Sequence, residues 1–134
     1  MFCWFDYPQN GSKPIFHVET DLEELSKQIE KPFLFVSHSP PYETPLDVIY
    51  DGRHVGSESV RRFIEKWSDK KKLIASLHGH IHESPYRSGS ADMEIGNAVC
   101  VNPGQNAGRD AELRYAVFEL SGVWRVSDMK YQDE

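Results

Sequence analysis

A chain of 134 residues, 39% hydrophobic and 27% charged, has the size and composition of one water-soluble domain with a small core. Its formal charge of -6 argues against a broad nucleic-acid surface, because phosphate recognition draws on clustered cations; the densest basic run, Lys70-Lys71-Lys72, sits where cations suit a helix end. Cys3 and Cys100 form no C-x-x-C pair, and no basic leader or long apolar run opens the sequence, so a reducing, cytoplasmic setting without a membrane segment is expected.

Residues 1–20 read as an irregular lead-in, with turn-like punctuation from Pro8 to Pro14. Thr20-Asp21-Leu22-Glu23 has the form of a capping box, and Leu22, Leu25 and Ile29 recur at helical spacing, which predicts a helix over 21–30 that stops before Pro32. Phe33-Leu34-Phe35-Val36-Ser37 is apolar without alternation, the pattern of a strand buried on both faces of a parallel sheet. It runs into His38. After a proline-rich loop, Ser57 is a good N-cap, and Val60, Phe63, Ile64 and Trp67 form an i, i+3, i+4, i+7 stripe that predicts an amphipathic helix with those residues in the core. Leu73-Ile74-Ala75-Ser76-Leu77 reads as a second buried strand, so 33–77 is expected to be one β-α-β unit with parallel strands and a right-handed crossover. Ala98-Val99-Cys100-Val101 stops at Asn102-Pro103-Gly104. The alternating run 115–120, a turn at Ser121-Gly122 and the run 123–129 then predict a hairpin within 112–130 that extends or covers the sheet. The fold class is α/β (α+β).

Parallel strands place ligand sites outside their carboxyl ends, and both central strands lead into histidines: His38 after the first, His78, His80 and His82 after the second. Neighbouring strands lie about 4.8 Å apart, so imidazoles leaving adjacent ends can converge on a metal although 42 residues separate His38 from His80 (80 minus 38). Gly79 allows a tight turn, and an extended His80-Ile81-His82 sends both rings to one side and Ile81 to the core. Taken singly, each histidine reads as a hydrogen-bonded loop residue; only the joint pattern points to a metal.

Ser37-His38-Ser39-Pro40-Pro41, Gly79-His80-Ile81-His82-Glu83-Ser84 and Asn102-Pro103-Gly104 together resemble the last three motif blocks of the calcineurin-like metallophosphoesterases. The loop Leu46-Asp47 followed by Asp51-Gly52-Arg53-His54-Val55-Gly56-Ser57 is similar to an insert of small prokaryotic predicted phosphohydrolases in that superfamily; the likeness covers about residues 31–105. It implies a β-sandwich with flanking helices around two divalent metal ions (manganese, iron or zinc), His38 and His80 on one metal, His82 on the other, and hydrolysis of a phosphate mono- or diester. The family's opening motifs, D-x-H, G-D-x-x-D and G-N-H-D/E, are absent from these residues, and Gly96-Asn97 is followed by Ala98. The chain is therefore expected to be the C-terminal half of such a domain, unable to assemble the dinuclear centre alone. Its partner is then a polypeptide carrying the missing half, or a second copy that covers the exposed sheet. The alternative is a noncatalytic, phosphoesterase-derived protein-binding scaffold.

Two further residues are candidates for substrate binding: His54, in a Gly-flanked loop entering a helix, and Asn102, whose ordinary role is to bond the backbone of its own turn. His78 has no ligand role in the resemblance. Asp47, Asp51, Glu83 and Asp92 are expected to be surface acids rather than partners of an imidazole N–H. No serine lies in a nucleophile elbow, and no catalytic proton donor is assigned.

Overall fold

In the computed structural model, which describes residues 18–105, 113–120 and 126–131, the pivot of the fold is the helix that follows Ser57. The Ser57 hydroxyl accepts the Val60 amide at 3.3 Å and starts helix α2 (Glu58–Asp69), whose apolar stripe of Val60, Phe63, Ile64 and Trp67 is buried as the spacing predicts. Each such side chain stabilises the fold by about 1.5–3 kcal/mol through its removal from water. The opposite face is polar, laced by Arg61–Glu65 and Arg62–Glu58 pairs at i, i+4.

Helix α1 (Val18–Ser26) packs against α2, burying Leu22, with the Trp67 indole N–H donating to the Ser26 hydroxyl at 3.3 Å. The expected boundaries shift. Thr20 lies inside the helix and caps nothing, because the chain is already helical at Val18; the helix ends at Ser26, four residues early, and turns carry the chain to Pro32. The part of the predicted lead-in before Val18, with Pro8 to Pro14, lies outside the described residues.

Strand β1 (Phe33–Val36) pairs in parallel with β2 (Leu73–Leu77), and β2 pairs in parallel with β4 (Ala98–Val101), while β3 (Asp92–Ile95) runs antiparallel to β4 at the far edge. The order is β1-β2-β4-β3. The β1-α2-β2 order and its parallel pairing are as expected, and β2 is buried through Leu73, Ile74, Ala75 and Ser76. β1 is not buried on both faces. Phe33 and Phe35 turn toward α2, with ring centroids 5.5 Å from Trp67 and 4.7 Å from Phe63, whereas Leu34 and Val36 are exposed. As an edge strand, β1 is covered on one side only, and the absence of alternation in its sequence conceals this.

Three elements have no counterpart in the sequence expectation, the first a single 3-10 turn, Pro45–Asp47, inside the proline-rich loop. The short helix α3 (Ser84–Ser88) follows the histidine run, and β3 is composed of Asp-Met-Glu-Ile, too polar to stand out before its pairing with β4 is known. β5 (Ala116–Leu120) and β6 (Val126–Tyr131) form the expected antiparallel hairpin, but as a separate two-stranded sheet, so the hairpin does not extend the first sheet. The Ser121-Gly122 turn lies outside the described residues. The described chain is thus a mixed α/β structure, and none of its helices is long and apolar enough to cross a membrane.

Candidate metal centre

The parallel register places Val36 beside Leu77, so β1 and β2 deliver the next residues to the same end of the sheet. The ladder continues beyond the strands: the Ser37 amide donates to the Leu77 carbonyl at 3.0 Å, and the Gly79 amide to the His38 carbonyl at 3.2 Å. His38 and His80 meet there. Their nitrogens, Nε2 of His38 and Nδ1 of His80, lie 3.1 Å apart, with ring centroids at 4.8 Å.

The local geometry differs from an extended His80-Ile81-His82. His80 has φ +67, a left-handed conformation that costs an L-residue about 1–3 kcal/mol and recurs at functional sites. Gly79 has no such need, since a Cβ there would come no closer than 3.9 Å to His38 Nδ1. The bend drives Ile81 into the core as expected and leaves both His80 and His82 exposed, His82 in the turn before α3. Gly104 holds that turn: its φ is +69, a Cβ would fall 2.6 Å from the His82 carbonyl, and the Gln105 amide donates to the same oxygen at 3.0 Å. Partial burial, then the neighbouring His38 and His82 charges, push His80 below the usual histidine range, opposed by Glu83. Among the described residues, no three His, Cys, Asp or Glu side chains gather into a group able to hold a metal.

His78 is withdrawn from the pair. It is buried, with Nδ1 3.0 Å from the Ser39 carbonyl and Nε2 2.7 Å from the Ser76 hydroxyl, so Nδ1 donates and Nε2 accepts. Asn102 is likewise committed: its side-chain amide donates to the carbonyls of Leu46 and Ile81, both at 3.0 Å, and its oxygen accepts the Gly104 amide at 3.1 Å. Both amide hydrogens serve the scaffold, and none is left for a ligand.

Asp47 is not a surface acid. It is fully buried beneath the loop between β1 and α2, where it completes a capping box with Thr44 and meets Nδ1 of His54 at 2.6 Å. The Thr44-Pro45-Leu46-Asp47 spacing carried that signal in the sequence. Asp51 is exposed and paired with Arg53 at 2.7 Å. A cavity of about 100 Å³ between α1 and β1 counts Leu22, Leu25, Val36 and His38 among its walls, well below the roughly 300–1,000 Å³ of an ordinary ligand pocket.

Fold and site therefore define a mixed α/β protein with paired histidines at the carboxyl ends of two parallel strands. The chain is similar to an uncharacterised protein of the archaeon Methanocaldococcus jannaschii, 40% identical over 84 residues. The similarity takes in 61% of this chain and 35% of the archaeal protein, so the chain spans about a third of that relative's length. No protein-family model and no solved structure matches it.

Proposed function

We propose that this chain supplies the histidine side of a divalent-metal phosphoesterase centre, as the C-terminal half of a calcineurin-like β-sandwich, with phosphate mono- or diesters as substrates. The observation that carries the reading is the 3.1 Å separation of His38 Nε2 and His80 Nδ1. Two nitrogens bound to one metal at about 2.0–2.1 Å stand roughly 2.9–3.4 Å apart in octahedral or tetrahedral coordination, so the pair fits a shared manganese, iron or zinc ion. The same distance suits an N–H···N bond between two imidazoles, and metal binding then replaces that proton. The resemblance assigns only His38 and His80 to a common metal; His82, one turn on, would serve the second. A bound metal supplies Lewis acidity toward the phosphoryl oxygens. The residues themselves hold the imidazole nitrogens in place and, through the buried His78 and Asn102, keep the two loops from separating.

Equilibrium dialysis against manganese, iron(II) or zinc tests this reading. The chain is expected to retain metal, with retention weakened by about tenfold or more in His38→Ala and in His80→Ala. Equal retention by the double variant sinks the proposal. Hydrolysis of bis-p-nitrophenyl phosphate is expected when a polypeptide carrying the D-x-H, G-D-x-x-D and G-N-H-D/E motifs joins this chain, and is expected to disappear in His80→Ala.

A second reading, a noncatalytic protein-binding scaffold, is favoured by the outer strand of the sheet. Val36 is 72% exposed and Leu34 38% exposed on β1, whose free edge carries unpaired backbone groups among the described residues. In the isolated chain we infer that a second copy covers this edge.

A further inference from the structure

The loop between β1 and α2 holds a pair of side chains that the metal reading leaves unused. The Asp47 carboxylate is fully buried, and each of its oxygens receives two donors. Oδ1 takes the Thr44 amide at 2.9 Å and His54 Nδ1 at 2.6 Å; Oδ2 takes the amides of Glu43 at 3.1 Å and Gly56 at 2.8 Å. All the roughly four lone-pair sites of a carboxylate are thereby filled. Gly56 permits this closeness, because a Cβ there would lie 2.7 Å from the Pro40 carbonyl and 2.8 Å from Asp47 Oδ2.

Three backbone amides alone would fix the carboxylate, so the imidazole is more than a pin. Its Nδ1 is committed inward, its ring stands edge-on to Tyr42 at 6.4 Å, and its side chain is 38% exposed. A carboxylate at Nδ1 selects the Nδ1–H tautomer and steadies the ring. Nε2 is the nitrogen left for a ligand.

The loop is tied to both histidine-bearing segments. The Ser57 amide donates at 2.8 Å to the carbonyl of Pro40, two residues beyond His38, and the Ser84 hydroxyl donates at 2.6 Å to the Pro45 carbonyl. Asn102 bridges the carbonyls of Leu46 and Ile81. These bonds fasten the loop to the end of the sheet at which His38 and His80 meet.

We propose that His54 is the substrate-side imidazole of this site, taking a phosphate-class oxyanion at Nε2, and that Asp47 is its positioning residue. Neutral His54 accepts the hydrogen of a P–OH group at Nε2. Protonated His54 donates Nε2–H to a phosphoryl oxygen. The proton moves only between those two atoms, and no other bond forms or breaks. The ligand class rests on the phosphoesterase reading; the tautomer and its carboxylate do not.

The test is histidine side-chain nitrogen NMR of the chain, with inorganic phosphate as the probe and metal retention measured separately by dialysis. The expected free-state signature for His54 is the Nδ1–H tautomer, and phosphate is expected to shift its Nε2 resonance saturably. His54→Gln should weaken phosphate binding by about tenfold with the chain still folded. Asp47→Asn should release the fixed tautomer, a change that loss of packing in the loop would not by itself produce; if that variant does not fold, His54→Gln and the wild-type tautomer decide. An Nε2–H tautomer, an unmoved His54 in phosphate, or a response to zinc but not phosphate overturns the proposal. A phosphate response without metal retention removes the metal reading and keeps this one; metal retention with an unmoved His54 does the reverse.

Discussion

Nδ1 of His78 lies 3.0 Å from the carbonyl of Ser39, and this bond joins the residue after β2 to the loop after β1. The ring is buried, and burial pushes its pKa down to about 4 despite the favourable backbone carbonyl. The fold therefore requires neutral His78. Between pH 4 and the unfolded value of 6.5, the unfolded chain binds more protons at this residue, so stability falls as pH drops through that window and gains nothing from His78 above it. The shift, 6.5 minus 4, corresponds to about 3 kcal/mol at its acid end. Urea midpoints measured from pH 4.5 to 7 should show the loss, and His78→Gln should flatten the curve relative to wild type. A wild-type midpoint that stays level across the window contradicts a buried neutral imidazole.

Core packing under α2 gives a second expectation. Ile64 is fully buried, and Ile64→Ala is expected to cost about 2–5 kcal/mol by leaving a cavity. Val36→Ala, on the exposed face of β1, should stay within about 0.5 kcal/mol. Chemical denaturation of the two variants side by side checks the assignment of inner and outer faces; equal losses would mean that the faces are assigned wrongly.

The glycines around the site should separate sharply. Gly56→Ala drives a methyl group against Asp47 and the Pro40 carbonyl and is expected to cost about 1–3 kcal/mol while loosening His54. Gly79→Ala meets nothing nearer than 3.9 Å and should be close to neutral. Thermal melts of both variants read the difference, and the opposite ranking would show that the tight point of the site is Gly79 after all.

The open edge of β1 yields a prediction about association. Sedimentation velocity of the isolated chain should show concentration-dependent dimers or larger species, and Val36→Lys should shift the distribution toward monomer, because an edge lysine opposes strand addition. A monomer at all concentrations, with unfolding independent of concentration, rules out a second copy on this edge.

Sequence periodicity determined the β-α-β unit, the Ser57 cap and the core stripe from Val60 to Trp67, because cap chemistry and helical spacing are local and α2 obeys both. It also identified His38 and His80 as residues at strand ends. The backbone that brings them together depended on long-range pairing: the β1–β2 register, the left-handed His80, and Gly104 beneath the His82 carbonyl. β3 and the exposed side of β1 were equally hidden, since a strand's place in a sheet is set by its neighbours and not by its own composition. Asp47 divides between the two. Its spacing from Thr44 marks a capping box in the sequence, but only the folded loop adds the Gly56 amide and the His54 imidazole, because donors from residues 43 to 56 converge on one carboxylate once that loop closes.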